Sequence, residues 1–274
     1  MSRLSISAAW DETRAILARD GKLFASVALA LVSLPSAVSR LMNPSGATDD
    51  NTAIGVLIVQ IVASLVALAG QLALIRLALG PSITVGGAIA HGIRRVPAYF
   101  LAALIVIAAL VIAAIPFGVV LAAMGVTVDP TSQSVPLTPA TAVLGLIYFA
   151  LMCFIGVRMA MASPAASAEP IGPIAILRRS WQLTEGHWWK LFGFLVVFVI
   201  GAVVLLGGIE IGFGVVVTMA LGPAQAMSPS ALVMALVMAV VSAVISTGFA
   251  VMLARIYAQL AGLDAQASVP SSGT

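Results

Sequence analysis

Three arginines recur at equivalent places in a largely apolar chain and are the first candidates for binding chemistry. Arg76, Arg158 and Arg255 each close a long stretch of uncharged residues. A guanidinium donates two parallel hydrogen bonds to a phosphate, so a cluster of three would suit lipid headgroups or an acidic partner. In the simpler interpretation, each side chain reaches into the headgroup region from a helix C-terminus, whose partial negative charge favours a cation. Only the cluster predicts that replacing all three by lysine costs function.

A second group of candidates combines aromatic and basic residues within a short segment. Its members are Arg178, Arg179, Trp181, Trp188, Trp189 and Lys190. Tryptophan rings favour the membrane–water interface, and each cation near an anionic surface adds about 1 kcal/mol of attraction. Anchoring that fixes helix tilt is the simpler role, and a headgroup or partner site is the alternative. We call these six residues and the three arginines together the Arg/Trp collar.

Glu210 is the one acidic residue between two long apolar stretches, so it is the candidate intramembrane acid. It follows Lys190 by 20 residues, or roughly 30 Å along a helix. That length predicts a position near the opposite interface, where the carboxylate would be solvated beside a helix break at Gly207 and Gly208. A functional role is the alternative, because acids inside a membrane usually serve one.

Residues with catalytic chemistry are scarce. The chain has two histidines and one cysteine, too few for a zinc site of the usual spacing. No nucleophile elbow, phosphate-binding glycine loop or pair of carboxylates within an apolar stretch occurs. We therefore predict a protein that is not an enzyme and that uses no metal and no cofactor.

The elements that must position these residues are membrane helices. Of 274 residues, only 8% are charged and 61% are hydrophobic, and the mean hydropathy is +1.15. These values exclude a soluble enzyme, a disordered chain and a secreted disulfide scaffold. Because a helix needs about 20 apolar residues to cross a bilayer, the pattern predicts an all-α integral membrane protein. We expect six transmembrane helices, near 22–42, 53–79, 98–124, 139–162, 190–221 and 230–258.

The distribution of basic residues predicts the orientation. Twelve of the 13 lysines and arginines fall on one side of these six helices, and only Arg40 falls on the other. By the positive-inside rule, we expect both termini to lie in the cytoplasm. A cleaved signal peptide, with its apolar core at 23–34, is the alternative. The long, partly acidic segment before that core disfavours it.

The order of features also predicts an internal repeat. A basic and aromatic segment that we expect to form an amphipathic interfacial helix precedes a hairpin of two spanning helices on three occasions, in units of about 1–80, 81–170 and 171–263. Each unit crosses the membrane twice, so the three parallel repeats are related by an axis along the membrane normal. They form a single polytopic domain over 1–263, and 264–274 is a polar tail that we expect to be disordered.

The run from Arg158 to Gly193 resembles a bacterial family that includes the membrane domain fused to some glycerophosphodiester phosphodiesterases. The matching residues are Arg158, Pro164, Glu169 and the stretch Arg179-Ser180-Trp181-x-Leu183-Thr184-x-Gly186-x-x-Trp189. The resemblance implies a stand-alone six-helix domain of uncharacterised role in the bacterial inner membrane. It does not imply phosphodiesterase activity, because that chemistry belongs to a separate soluble barrel with a His-Arg-Gly stretch. A link to lipid metabolism follows only by analogy.

These features predict a non-enzymatic inner-membrane protein. Its Arg/Trp collar would bind or organise anionic lipid, or would scaffold a membrane or cytoplasmic protein partner, and we expect no nucleic-acid partner. The alternative is a transporter of lipid or of a small solute, with a path along the axis of the repeats. A transporter predicts a polar cavity at mid-depth, lined by residues such as Gln60, Gln71, Ser242, Ser246 and Thr247.

Overall fold

The computed structural model describes residues 4–35, 37–38, 53–80, 84–126, 138–223, 225 and 228–263. These residues form helices joined by short connections, and no strand occurs among them. We number the helices in chain order: α1 Ile6–Val27, α2 Ala53–Leu79, α3 Val85–Ala123, α4 Pro139–Met159, α5 Ala162–Ala168, α6 Pro173–Thr184, α7 Trp188–Leu221 and α8 Pro229–Ala261.

Five of these helices are long and apolar enough to cross a membrane. The candidate spans are Ile58–Leu79, Val85–Ala123, Pro139–Ala168, Trp188–Leu221 and Pro229–Ala261. They correspond to five of the six predicted spans and fit a multi-pass membrane protein. The span predicted near 22–42 is not among them, and part of it, with Arg40, lies outside the described residues. The tail predicted at 264–274 also lies outside them.

Two of the amphipathic segments are continuous with the apolar segments that follow them. The Ser5 hydroxyl caps α1 by accepting from the Ala8 N–H at 3.3 Å, and α1 then passes directly into a π-helical turn, Ala28–Ser33. Helix α3 is likewise continuous through Pro97 and Pro116. Only between α6 and α7 does a turn separate the two parts. The predicted interfacial helices are therefore the first turns of longer helices in the first two units, and the repeat itself stays a prediction.

Helix α1 lies antiparallel to α8. The Ser5 N–H donates to Gln259 Oε1 at 3.1 Å, and the Thr13 hydroxyl contacts the sulfur of Met252 at 3.6 Å. Beyond α1 and the π-helical turn, Ala37 packs in one cluster with Ala235 and Ala239 of α8. The partners on α8 move towards its start as those on α1 move towards its end, which makes the direction antiparallel.

The short helix α5 lies buried at the junction of α2, α3, α6 and α8. Its sequence, ASPAASA, contains only small residues and a proline, so neighbouring backbones can approach it closely. The buried Ser167 hydroxyl donates to the Leu72 carbonyl at 2.9 Å. The Ser167 carbonyl lies 2.8 Å from Nε2 of His91, so α5 fixes α2 and α3 by polar contacts as well as by packing.

Candidate functional site

One end of the bundle collects most residues of the Arg/Trp collar. Arg179 of α6 binds Glu169, and the Ser180 hydroxyl donates to the Arg158 carbonyl at 2.7 Å. Lys190 Nζ donates to the Leu4 carbonyl at 3.1 Å, so the start of the chain lies at the same end. We call this the basic end of the molecule.

Arg158 lies against aromatic rings rather than against a carboxylate. Its guanidinium carbon lies 4.8 Å from the ring centre of Trp181 and 5.5 Å from that of Phe154, both within the range of cation–π attraction. One Nη donates to the Trp181 carbonyl at 3.3 Å. Nε is buried and has no hydrogen-bond partner among the described residues. The guanidinium is therefore held in place while part of its donor capacity is unused.

The tryptophans of the collar extend this aromatic surface. Phe154 contacts both Trp181 and Trp188, each with ring centres 6.0 Å apart. Trp188 stacks on Phe192 at 4.9 Å and meets Trp189 edge-on at 4.7 Å. Trp189 is 77% exposed and Trp181 is 42% exposed. The structure thus joins Arg158, Trp181, Trp188 and Trp189 into one partly exposed surface, the Arg158 surface.

Arg179 has a structural partner instead. Oε1 of Glu169 accepts from Arg179 Nε at 2.8 Å and from the Tyr257 hydroxyl at 2.6 Å. Burial by itself would lower the pKa of Arg179, but the hydrogen bond and the negative charge of Glu169 outweigh it and raise that pKa. This network ties the segment between α5 and α6 to α8. The family resemblance contains Glu169, whereas no local pattern pointed to Tyr257, which is 88 positions away from Glu169.

The three recurring arginines have different surroundings. Arg255 pairs with Glu12 of α1, whereas Arg158 lies on aromatic rings. Arg76 is half-buried in the last turn of α2. Sequence reasoning missed Glu12, because it used the acidic residues before the apolar core at 23–34 only as evidence against a signal peptide. Of the remaining collar residues, Arg178 is exposed on α6.

Glu210 lies far from the basic end. It is exposed and follows Trp188, the first residue of α7, by 22 residues, or about 33 Å along the helix axis. The predicted break at Gly207 and Gly208 is wrong, because α7 continues without interruption to Leu221. In a chain this apolar, the helix keeps its backbone hydrogen bonds across both glycines.

Two small clefts flank the middle of α8. One, of about 170 Å³, is lined by Gln71 and Ser246 among apolar side chains from the π-helical turn, α2 and α8. The other, of about 190 Å³, lies between α1 and α8 beside Thr247, whose buried hydroxyl oxygen has no partner among the described residues. Three of the polar residues predicted to line a transport path therefore meet clefts, but in two separate places. Within the described residues, no group of three metal-binding side chains occurs.

Comparison with known proteins identifies a family without assigning an activity. No curated protein and no solved structure matches the chain. The resemblance to the membrane domain fused to glycerophosphodiester phosphodiesterases stays a prediction. The profile of a domain of unknown function, DUF7847, matches residues 4–260. That match covers nearly the whole sequence, and the chain belongs to the DUF7847 family.

Proposed function

We propose that the protein is a non-enzymatic, multi-pass protein of the bacterial inner membrane that binds anionic phospholipid at its basic end. In this proposal, the segment near 22–42 forms a sixth span and both termini are cytoplasmic. The observation that supports it most is Arg158, whose guanidinium lies on Trp181 and Phe154 without a carboxylate partner in the described part of the chain.

The basic residues differ in whether a carboxylate of the same chain pairs with them, and this difference supports the proposal. Arg179 and Arg255 are neutralised by carboxylates of the same chain, so they serve the fold. Arg158 and the exposed Arg178 keep their charge available beside exposed tryptophans. Amphipathic rings next to cations are the combination that holds a protein at the level of anionic headgroups.

Native mass spectrometry of the purified protein tests the proposal. We expect the wild type to retain phosphatidylglycerol in preference to phosphatidylcholine. A double variant, Arg158→Gln with Arg178→Gln, should retain at least about tenfold less phosphatidylglycerol, because two interfacial cations contribute about 2 kcal/mol. The matched control, Arg14→Gln with Arg94→Gln, removes the same charge from exposed positions on α1 and α3. Equal retention by both double variants would contradict the proposal.

A second candidate function is transport of a lipid or a small solute. The unpartnered Thr247 hydroxyl beside its cleft is the observation that favours it. Both clefts, however, are smaller than the roughly 300–1,000 Å³ of ordinary small-molecule sites. Reconstituted vesicles containing fluorescent phosphatidylglycerol separate the candidates. The lipid-binding proposal predicts no transfer between leaflets above that of empty vesicles, whereas transport predicts transfer that Thr247→Leu abolishes.

The third candidate is a scaffold, in which the same basic surface would hold an acidic protein partner. Phosphate and carboxylate groups both suit a guanidinium, so Arg158 alone does not choose between them. The apolar surroundings of Arg158 favour the lipid, since a phospholipid carries its charge and its apolar chains in one molecule.

A further inference from the structure

We propose that Arg158 and the facing sides of α4 and α7 form a site for a single phosphatidylglycerol-like lipid, with the phosphate at Arg158 and one acyl chain in the gap between the two helices. This inference rests on the proposed function and adds to it a defined site, a lipid class and a binding position for the chain.

The two helices meet at the basic end. The ring of Phe154, near the end of α4, contacts that of Trp188, at the start of α7, and Trp188 Nε1 lies 3.5 Å from the Phe154 carbonyl. The guanidinium of Arg158 lies over the same Phe154 ring. A charged group therefore stands at the point where α4 and α7 are in contact.

Beyond this contact, the same sides of the two helices are exposed rather than packed against each other. On α4, Ile147 and Val143 precede Phe154 by 7 and 11 residues, so they share its side of the helix. They are 52% and 57% exposed. On α7, Val199 and Val203 follow Phe192 by 7 and 11 residues, and they are 54% and 63% exposed. Sides that touch at one end and are exposed further along leave a strip of apolar surface on both helices, and there we place a wedge-shaped gap.

The size and the polarity of the gap select its occupant. Phe154 and Val143 are 11 residues apart, or about 16 Å along α4, close to the half-thickness of a bilayer core of about 30 Å. A single acyl chain of one leaflet therefore fits the open length. The phosphate of the same lipid would reach the guanidinium at the closed end and accept hydrogen bonds from its Nη groups. A second copy of this chain would fill the apolar gap but offers nothing that calls for a cation at the closed end.

Two pairs of variants test the two halves of the site by native mass spectrometry of the purified protein with added phosphatidylglycerol. Arg158→Gln removes the cation, and Arg94→Gln is its control at an exposed position on α3. Val199→Trp fills the gap, and Val197→Trp is its control, since residue 197 is 72% exposed on another side of α7. We expect Arg158→Gln and Val199→Trp each to weaken binding at least about tenfold, with both controls within twofold of the wild type. Equal thermal unfolding temperatures would show that the variants are folded.

Further arms identify the ligand. Short-chain dihexanoyl phosphatidylglycerol should bind Val199→Trp as well as the wild type, because its chains do not reach the gap. Inorganic phosphate at millimolar concentration should not displace the long-chain lipid. Displacement by phosphate, or a loss confined to Arg158→Gln, would overturn the two-part site in favour of a headgroup site alone. A dimer mass that Val199→Trp abolishes would assign the gap to a second copy.

The outcomes separate the site from the proposed function. If the wild type retains phosphatidylglycerol and neither Arg158→Gln nor Val199→Trp weakens it, the site is wrong and anionic-lipid binding stands. If the wild type retains no more phosphatidylglycerol than phosphatidylcholine, both fail.

Discussion

At the scale of single residues, Glu169 holds two donors with one carboxylate oxygen. Arg179 and Tyr257 both donate to Oε1, and the Tyr257 side chain is almost wholly buried. The ion pair is about one-third exposed, so its own contribution to stability is below about 1 kcal/mol. The larger effect of losing Glu169 would be a buried tyrosine hydroxyl without an acceptor, which costs about 1–3 kcal/mol.

Because an unpaired buried hydroxyl costs more than the exposed ion pair contributes, three variants should differ in how much stability they lose. Glu169→Ala should lower the thermal unfolding temperature most, because it leaves the Tyr257 hydroxyl and the Arg179 guanidinium without their acceptor. Tyr257→Phe should cost about 1 kcal/mol, since it removes the donor together with its need for a partner. Glu169→Gln should fall between them, because its amide keeps an oxygen for one donor. Unfolding in detergent, followed by tryptophan fluorescence, measures the order, and a larger loss for Tyr257→Phe than for Glu169→Ala would contradict it.

The residues of the Arg158 surface could be chosen from their types, whereas the full set of partners of Glu169 could not. Tryptophan and arginine favour the membrane–water interface because of their own side-chain chemistry, whatever their neighbours. Trp181, Trp188 and Trp189 could therefore be chosen from the sequence alone. Glu12 and Tyr257 could not, because their role depends on partners more than 80 positions away. Such pairs come from tertiary packing, which local pattern does not encode.

At the scale of elements, the crossing of α2 and α3 depends on one glycine. A Cβ added at Gly92 would lie 2.5 Å from the carbonyl oxygen of Ala69 and 3.2 Å from the nitrogen of Ala73. Both atoms belong to the backbone of α2, so they cannot turn aside as a side chain would. The close approach of the two helices therefore requires glycine at this position, as small residues do in other membrane helix pairs.

We expect Gly92→Ala to lower stability by about 1–3 kcal/mol, the usual cost of overpacking. Gly118→Ala in the same helix is the matched control, because nothing lies within 4 Å of its added Cβ. Alanine favours a helix over glycine by up to about 1 kcal/mol, so the control should be neutral or stabilising. The two thermal unfolding temperatures, compared in one detergent, check this. A loss of the same size in both variants would mean that the close approach of α2 at Gly92 does not govern the result.

Helix positions were predictable and helix continuity was not. Solid apolar blocks bounded by charges located α2, α4, α7 and α8 closely, because a span must satisfy all of its backbone groups within itself. Because backbone groups in an apolar environment must stay hydrogen-bonded, Pro116 and Gly207 do not end a helix in this chain. Helices α3 and α7 continue through them. The amphipathic stretches before 22 and 98 predicted separate surface helices, yet each continues into the helix that follows it.

At the scale of the whole molecule, the contacts between the two ends of the chain bear on the number of spans. Ser5 and Gln259 are hydrogen-bonded, and Glu12 pairs with Arg255, so the start of α1 and the end of α8 lie together. Two ends on one side of a membrane require an even number of crossings. These contacts support the proposed sixth span, for which the helix that continues from α1 beyond residue 27 is the segment available.

Single cysteines test this topology in a Cys153→Ser background, with a membrane-impermeant maleimide applied to intact bacterial cells whose outer membrane is permeabilised. Ser7→Cys and Leu263→Cys lie at exposed positions of the basic end, and Gln225→Cys lies at an exposed position between α7 and α8. Segments rich in lysine and arginine stay on the cytoplasmic side of the membrane. We therefore expect only Gln225→Cys to react until the inner membrane is opened. Reaction at positions 7 and 263 but not at 225 would invert the orientation and keep six spans. Reaction at 7 without reaction at 263 would leave five spans, and the contact between α1 and the end of α8 could not form in the membrane.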